Sequence, residues 1–354
     1  MPPSTSTRTR PDDLAHVPVA GIDLGGTKVR GAIADAAGRV LAEAIEPTRD
    51  TGARDVITQI AGMVSALGSQ AGVHPALLAV GSPGVVDEHG HFQLSFNIDE
   101  LAEVSLASEV QAHVGVPVIV DNDANMAALG EQWQGLARGC RNFAVLSVGT
   151  GLGMGLVIDG QLHRGSRGFA GEIAYLPIGV DPRSADARRF GALEWAAGTA
   201  GIRRRLLAAL SAGAPSRNGT EQAQAHAQAR AATTLNEDSD VHAVFEAARA
   251  FDPLARELVD HEASLLAHAI LAVATVVDPE LVIITGGIGA DPLLTDLVRE
   301  RLDEVSPHRI RVERSILGDR CGVMGALAAA RASAGTMSMQ AGLDDSDARG
   351  NNNG

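Results

Sequence analysis

The sequence predicts an α/β protein of two lobes, on three observations. An apolar strand, a glycine turn and a second apolar strand open the chain in GIDLGGTKVRGAIA, and FAVLSVGTGLGMGLVIDGQL repeats that arrangement later. Each unit is followed by further apolar runs and by segments of helical spacing. The 354 residues, 45% of them hydrophobic, suffice for two modest cores. Two similar units of this kind predict two related lobes facing a cleft.

The opening strands are expected at Val17–Ile22, Val29–Ala34 and Val40–Glu46, an antiparallel meander joined by GGTK and DAAG. Val56, Ile60, Met63, Val64 and Leu67 recur at helical spacing, and Asp50 or Thr51 is the expected cap of that helix. LLAVGSPG reads as a buried strand running into a turn, and 106–114 as a helix. VPVIVDNDAN reads as a buried strand ending in polar residues, with a helix over 125–135. After the second hairpin a helix is expected near Gly191, a long apolar one over 253–277, a strand at LVIITGGIG, a helix from Asp291 and a last helix over 322–332.

Domain boundaries follow from these elements. A disordered leader covers 1–17. The N-terminal lobe takes 18–121 and is completed by helix 322–332. The C-terminal lobe takes 122–321, with a low-complexity Ala/Gln/Ser insertion at 211–242. Residues 333–354 are polar and expected to be disordered.

Composition excludes several classes. The formal charge is −14, against the basic face of a nucleic-acid binder. The one basic run, Arg203 to Arg205, falls in a helix and reads as a solvated face. No apolar stretch is expected to reach the roughly 20 residues of a membrane span, and MPPSTSTRTRPDD lacks the apolar segment of a secretory signal. Two cysteines far apart, Cys140 and Cys321, fit a reducing, cytoplasmic compartment. His113, His163, His261 and His268 have no partners at ligand spacing.

The glycine turns carry the chemistry. Gly25 and Gly26 let backbone amides approach an anion, Thr27 adds a hydroxyl and Lys28 a positive charge. Asp23, just before the turn, is placed to orient Mg²⁺ through its water shell. Gly149, Thr150 and Gly151 repeat that chemistry, and Gly286 and Gly287 form a third turn after an apolar strand. One such turn is ordinary hairpin chemistry; three, each at the end of an apolar strand, read as a clamp on a nucleotide. VDNDAN puts Asp121, Asn122, Asp123 and Asn125 at the carboxyl end of a strand, where α/β ligand sites lie. Asp123 could accept the proton of an attacking hydroxyl, or it could cap the helix that follows.

DLGGTK, GSPG, FN, VDNDANMAALGE, SVGTGLGMGLVIDG, RGFAGEIAYLPIG and the late TGG turn occur here in the order of the ROK family of sugar kinases and repressors. The resemblance covers about 18–332. It implies a two-lobed actin/hexokinase-like (ribonuclease H-like) fold and transfer of the γ-phosphate of ATP to a hexose, glucokinase-like and at O6, or to an N-acetylhexosamine. It implies Asp23, Gly25, Gly26, Thr27, Lys28, Gly149, Thr150 and Gly151 around phosphates and Mg²⁺, with Gly286 and Gly287 near the adenosine. Asn97, Asn122, Asp123, Glu172 and Glu194 would hold sugar hydroxyls, with Asp123 as general base. It also implies a homodimer or tetramer.

The chain departs from the family pattern in two places. Most members read GEIGH, and that His contacts sugar and joins three cysteines on a structural zinc. This chain reads GEIAY, and between Glu172 and Glu194 there is no Cys or His. A tetrahedral site needs about four such ligands, so no zinc is expected. Tyr175 stands at the His position, either as a sugar contact or as packing for the sugar-side wall. Arg183, Arg188 and Arg189 of the zinc-free loop are expected to pair with nearby acids. Leu101 replaces a family tryptophan. A non-catalytic sugar sensor derived from ROK repressors is the alternative, although the 22 residues before Asp23 are too few for a DNA-binding domain.

Overall fold

The computed structural model describes residues 17–49, 52–86, 92–94, 105–211, 228–229 and 232–350. These fall into two compact units. One takes the chain up to Gln134, Ser166–Gly168 and the chain from Arg320; the other takes Gly135–Gly165 and Phe169–Asp319.

In the first unit, β1 (Val19–Leu24), β2 (Lys28–Ala34) and β3 (Val40–Pro47) form the expected antiparallel meander. β1 begins after Pro18, which has no N–H to give a ladder. Helix α1 (Ala53–Ala71) precedes β4 (Leu78–Ser82), the short pair β5 (Val85–Val86) and β6 (Phe92–Leu94), α2 (Leu106–Val114), β7 (Val118–Asn122) and α3 (Asp123–Gln134). The sheet order is β3-β2-β1-β4-β7, with β4 and β7 parallel to β1. The N-cap of α1 is Gly52, without a side-chain cap; the expected caps Asp50 and Thr51 lie outside the described residues.

Strand alternation decides which residues meet which layer. Ile22, Leu24, Leu78, Val80 and Val120 point into one core with Val56, Ile60 and Leu67 of α1 and Leu106 and Val110 of α2. The intervening residues, Gly21, Asp23, Gly81 and Asp121, therefore face the opposite layer, made by α3 and the C-terminal helix. That layer packs through glycines. A Cβ on Gly21 would lie 2.8 Å from the backbone N of Leu327, and one on Gly81 3.0 Å from Met126. Where α3 crosses the C-terminal helix, a Cβ on Gly130 would overlap the Cys321 carbonyl, and one on Gly325 the Met126 carbonyl.

The first unit departs from expectation in two ways, and this packing explains the first. Helix α3 belongs with the first unit, so the division falls after Gln134 instead of after Asp121. The C-terminal helix runs Cys321–Gly350 instead of stopping at Ala332. Its later residues are polar but include no proline, and Gly and Ser lower helix propensity by only about 1 kcal/mol or less each. The expected leader, except Val17, lies outside the described residues, as do 351–354.

The second unit repeats the plan. β8 (Phe143–Val148), β9 (Leu152–Ile158) and β10 (Gln161–Leu162) form a meander, and a 3₁₀ turn follows at Ile173–Tyr175. Then come α4 (Ala185–Phe190), α5 (Ala192–Ala196), α6 (Gly198–Ser211), α7 (Val241–Arg249), α8 (Pro253–Val277), β11 (Leu281–Thr285), α9 (Pro292–Val305) and β12 (Val312–Arg314). The order β10-β9-β8-β11-β12, with β11 and β12 parallel to β8, matches the first sheet strand for strand. Helix α7 adjoins the stretch read as an insertion; Phe245 and Val244 are buried on it, and Asp240 caps it. Of the insertion itself, 212–227, 230 and 231 lie outside the described residues.

Contrary to expectation, α8 is long and apolar enough to cross a membrane by length and composition. It buries Leu254, Leu258, Ala263, Leu266 and Ile270 in the core of this unit. Of the run Arg203 to Arg205 only Arg203 is exposed as expected: Arg204 lies over the Trp195 ring at 3.7 Å, and Arg205 pairs with the fully buried Glu262 at 2.7 Å.

Candidate active site

The first glycine turn closes on itself, with Gly25 N–H donating to Lys28 O at 2.9 Å. From β3's end Thr48 braces it, its hydroxyl donating to Gly25 O at 2.6 Å and its N–H to Thr27 O at 3.0 Å. Gly26, Thr27 and Lys28 are exposed. Asp23 sits beneath, on the face of β1 turned to the C-terminal helix, and a Cβ on Gly322 would lie 2.5 Å from its carboxyl. Glycine there lets the carboxylate reach the first turn of that helix, whose N–H groups favour negative charge.

At the end of β7 the four polar residues divide their tasks. Asp121 Oδ1 accepts the Asn122 N–H and the Asn125 Nδ2–H, both at 2.8 Å, and both Asp121 and Asn125 are buried. Asn122 caps α3, its Oδ1 accepting from the N–H of Ala124 at 2.8 Å and of Asn125 at 3.3 Å, while its Nδ2 donates to Gly84 O at 3.0 Å. That cap starts α3 at Asp123, two residues earlier than expected. Asp123 is thereby relieved of capping duty. One oxygen accepts from Ala124 N–H at 2.8 Å. Burial pushes its carboxyl above the ordinary value of 3.8, and two backbone hydrogen bonds oppose that. The positioning role of Asp121 and Asn125 is not visible in the sequence, where all four residues look alike.

In the second unit, the other two glycine turns meet. Gly149 N–H donates to Gly151 O at 3.0 Å, and a Cβ on Gly149 would lie 3.7 Å from Gly287 N. Gly286 takes φ 94° because its backbone presses on β8: a Cβ there would lie 2.5 Å from Val148 O. Thr150 and Gly151 are exposed. Thr199, at the start of α6, donates both its N–H and its hydroxyl to Gly149 O at 2.9 Å.

Glu172, Tyr175 and Glu194 also come together in this unit. Burial raises the Tyr175 hydroxyl above its ordinary value, and the Glu172 and Glu194 carboxylates beside it add to the shift. The phenol stays protonated and can both donate and accept. Glu194 Oε2 accepts the N–H of Leu152, the residue after the Gly149–Gly151 turn, at 2.9 Å. Asn97 and Leu101 lie outside the described residues.

The loop that departs from the family pattern is ordered by packing. Leu176, Ile178 and Val180 lie against the core. Ser184 caps α4, and Phe190 stacks on Trp195 with centroids 5.5 Å apart. Arg204 covers the Trp195 ring and donates to its carbonyl, and Arg189 lies 4.9 Å from the Phe190 ring centre. Arg183 makes an exposed pair with Asp181 at 3.1 Å. Among the described residues no cluster of three or more His, Cys, Asp or Glu could hold a metal ion.

A family model described as the ROK family matches residues 19–333. The chain belongs to the ROK family. Among ROK relatives, a glucokinase of Halalkalibacterium halodurans is 30% identical over 322 residues, 86% of this chain and 92% of the relative. A glucokinase of Thermotoga maritima is 31% identical over 323 residues, 88% of this chain and 97% of the relative. A ROK family glucokinase from Streptomyces griseus, solved with glucose and AMPPNP, is 29% identical with a TM-score of 0.72, covering 89% of this chain and 99% of that one. The paired sheets are those of the two-lobed actin/hexokinase-like ROK fold.

Proposed function

We propose that this ROK protein is an ATP-dependent sugar kinase that transfers the γ-phosphoryl group to a hexose hydroxyl, glucokinase-like and at O6. The observation that carries the reading is Asp123: a carboxylate held at a helix start, one oxygen fixed by Ala124 N–H, and its titration raised by burial. Its other oxygen takes the hydroxyl proton as the sugar oxygen bonds to the γ-phosphorus and the bond from that phosphorus to the ADP oxygen breaks. Phosphoryl transfer of this kind is mostly positioning and charge stabilisation.

The exposed turns at Gly25–Lys28 and Gly149–Gly151 supply amides, hydroxyls and one ammonium to polyphosphate, and Gly286 and Gly287 lie beside the second of them. Asp23 is an oxygen donor suited to Mg²⁺, a hard cation. Mg²⁺ held there by Asp23 would supply neutralisation of the charge developing on the phosphate oxygens. Asn97, Asn122, Asp123, Glu172, Tyr175 and Glu194 would hold the sugar; neutral hydroxyls suit carboxylates and amides that can take paired hydrogen bonds. Tyr175, unlike His, titrates far above neutrality, so its substitution favours a shifted sugar preference. The protein would act in the cytoplasm as a homodimer or tetramer, with Cys140 and Cys321 in no disulfide.

The test is ADP release from Mg·ATP against a panel of hexoses and N-acetylhexosamines. Turnover on one sugar supports the kinase and names its substrate. Sugar binding by calorimetry without turnover on any sugar overturns it in favour of a sensor. We further expect Gly149→Val to raise the KM for ATP about tenfold or more, because a branched side chain at the turn would hold polyphosphate off its amides, and a hydrogen bond to a charged group is worth about 1.5–3 kcal/mol. A Cβ at this position meets only ordinary contact at 3.7 Å, so the companion variant Gly149→Ala should leave the melting temperature near wild type. A zinc-selective chelator should leave kcat unchanged once Mg²⁺ is restored, since packing orders the loop; loss of activity would contradict the zinc-free reading.

A further inference from the structure

We propose that Glu262 and Arg205 are positioning residues for the second phosphate turn, holding Gly149–Gly151 in the shape that grips nucleotide phosphates. The proposal rests on the reading of that turn as a phosphate site. Glu262 is fully buried on α8, among Leu258, Val259 and Leu266. Its Oε1 accepts the N–H of Gly198, the first residue of α6, at 2.7 Å, and its Oε2 pairs with Arg205 at 2.7 Å. First-turn amides of a helix have no partner within it. A charged acceptor fixes this one strongly and in one place.

That fixed amide sets the turn. Gly198 takes φ 71°, and a Cβ there would lie 3.2 Å from Gly149 O. Next to it Thr199 saturates Gly149 O with two hydrogen bonds. The far end of the turn is held by Glu194 through Leu152 N–H at 2.9 Å. Arg205 links the two supports, because it also donates to Ala196 O at the end of α5, the helix that carries Glu194. Well-packed apolar residues in place of a whole buried ion pair are often neutral for stability, so stability alone does not call for this one. A buried carboxylate with both oxygens committed, one to the turn's support and one to a guanidinium, is a device for placement.

The experiment measures Mg·ADP affinity by calorimetry, which needs no turnover, for the wild type and for Glu262→Gln, Arg205→Met, Arg205→Lys and Thr199→Val. Val298→Ala, buried on α9, supplies a destabilised control. The expected result is binding weakened about tenfold or more in Glu262→Gln and Arg205→Met, with partial rescue in Arg205→Lys. Thr199→Val should weaken Mg·ADP binding while sugar affinity stays unchanged, and Val298→Ala should bind as the wild type. Affinities that fall no further than in Val298→Ala overturn the proposal. If the Glu262 variant does not fold, Thr199→Val and Arg205→Lys decide by the same criterion. A wild type that binds no Mg·ADP overturns the proposal together with the phosphate reading. A wild type that binds Mg·ADP and phosphorylates no sugar overturns the kinase reading alone.

Discussion

Asp123→Asn is expected to lower kcat by about 10²- to 10⁴-fold, the usual contribution of a positioned general base. Asn keeps the shape and can still accept Ala124 N–H, so α3 and its Asn122 cap survive. Mg·ADP affinity and melting temperature should therefore stay near wild type, and sugar affinity should change little. The pH profile supplies a second readout. A base must be ionised to work, and burial holds this carboxyl above 3.8. Activity is thus lost, as pH falls, at a higher pH than an exposed aspartate would give. That acid limb in kcat/KM should be present in the wild type and absent from the residual activity of Asp123→Asn. A variant that retains wild-type kcat, or the same acid limb, would remove Asp123 from the chemistry.

Gly325→Ala should be among the most destabilising single substitutions in the first unit. Helix propensity alone favours Ala by up to about 1 kcal/mol. Here the added methyl would overlap the Met126 carbonyl, and on the facing helix Gly130 has no more room against Cys321. Backbone atoms cannot rotate away as a side chain can, so α3 and the C-terminal helix must separate. Overpacking of this kind costs about 3 kcal/mol, which lowers the melting temperature by roughly 6–12 °C. The separation also moves Asp123 at the head of α3, and a shift of about 1 Å at a catalytic group costs on the order of 10²-fold in rate. Gly335→Ala on the same helix is the control, because a Cβ there meets nothing within 4 Å. It should be neutral or slightly stabilising. Equal melting temperatures for the two variants would contradict the close crossing.

The sequence by itself determined the paired strand–turn–strand units, the family and the residues around the three glycine turns. Those features are local: alternating apolar residues make a strand, and glycines at its end mark a turn. Helix 253–277 was equally legible, because its cap at Asp252, its proline and its apolar stripe all lie within one segment. The cap of α3 was not, since Asp121, Asn122, Asp123 and Asn125 carry similar groups and only the strand pleat decides which of them points where. Nor did sequence spacing assign α3 to the first unit; the glycines at 130 and 325 lie far apart in the chain and meet only in space. Arg204 and Arg205 looked like a solvated face because a run of charge usually is one. Tertiary structure put an indole and a buried carboxylate opposite them, and the desolvation cost of a charge is offset only where such partners are brought to it.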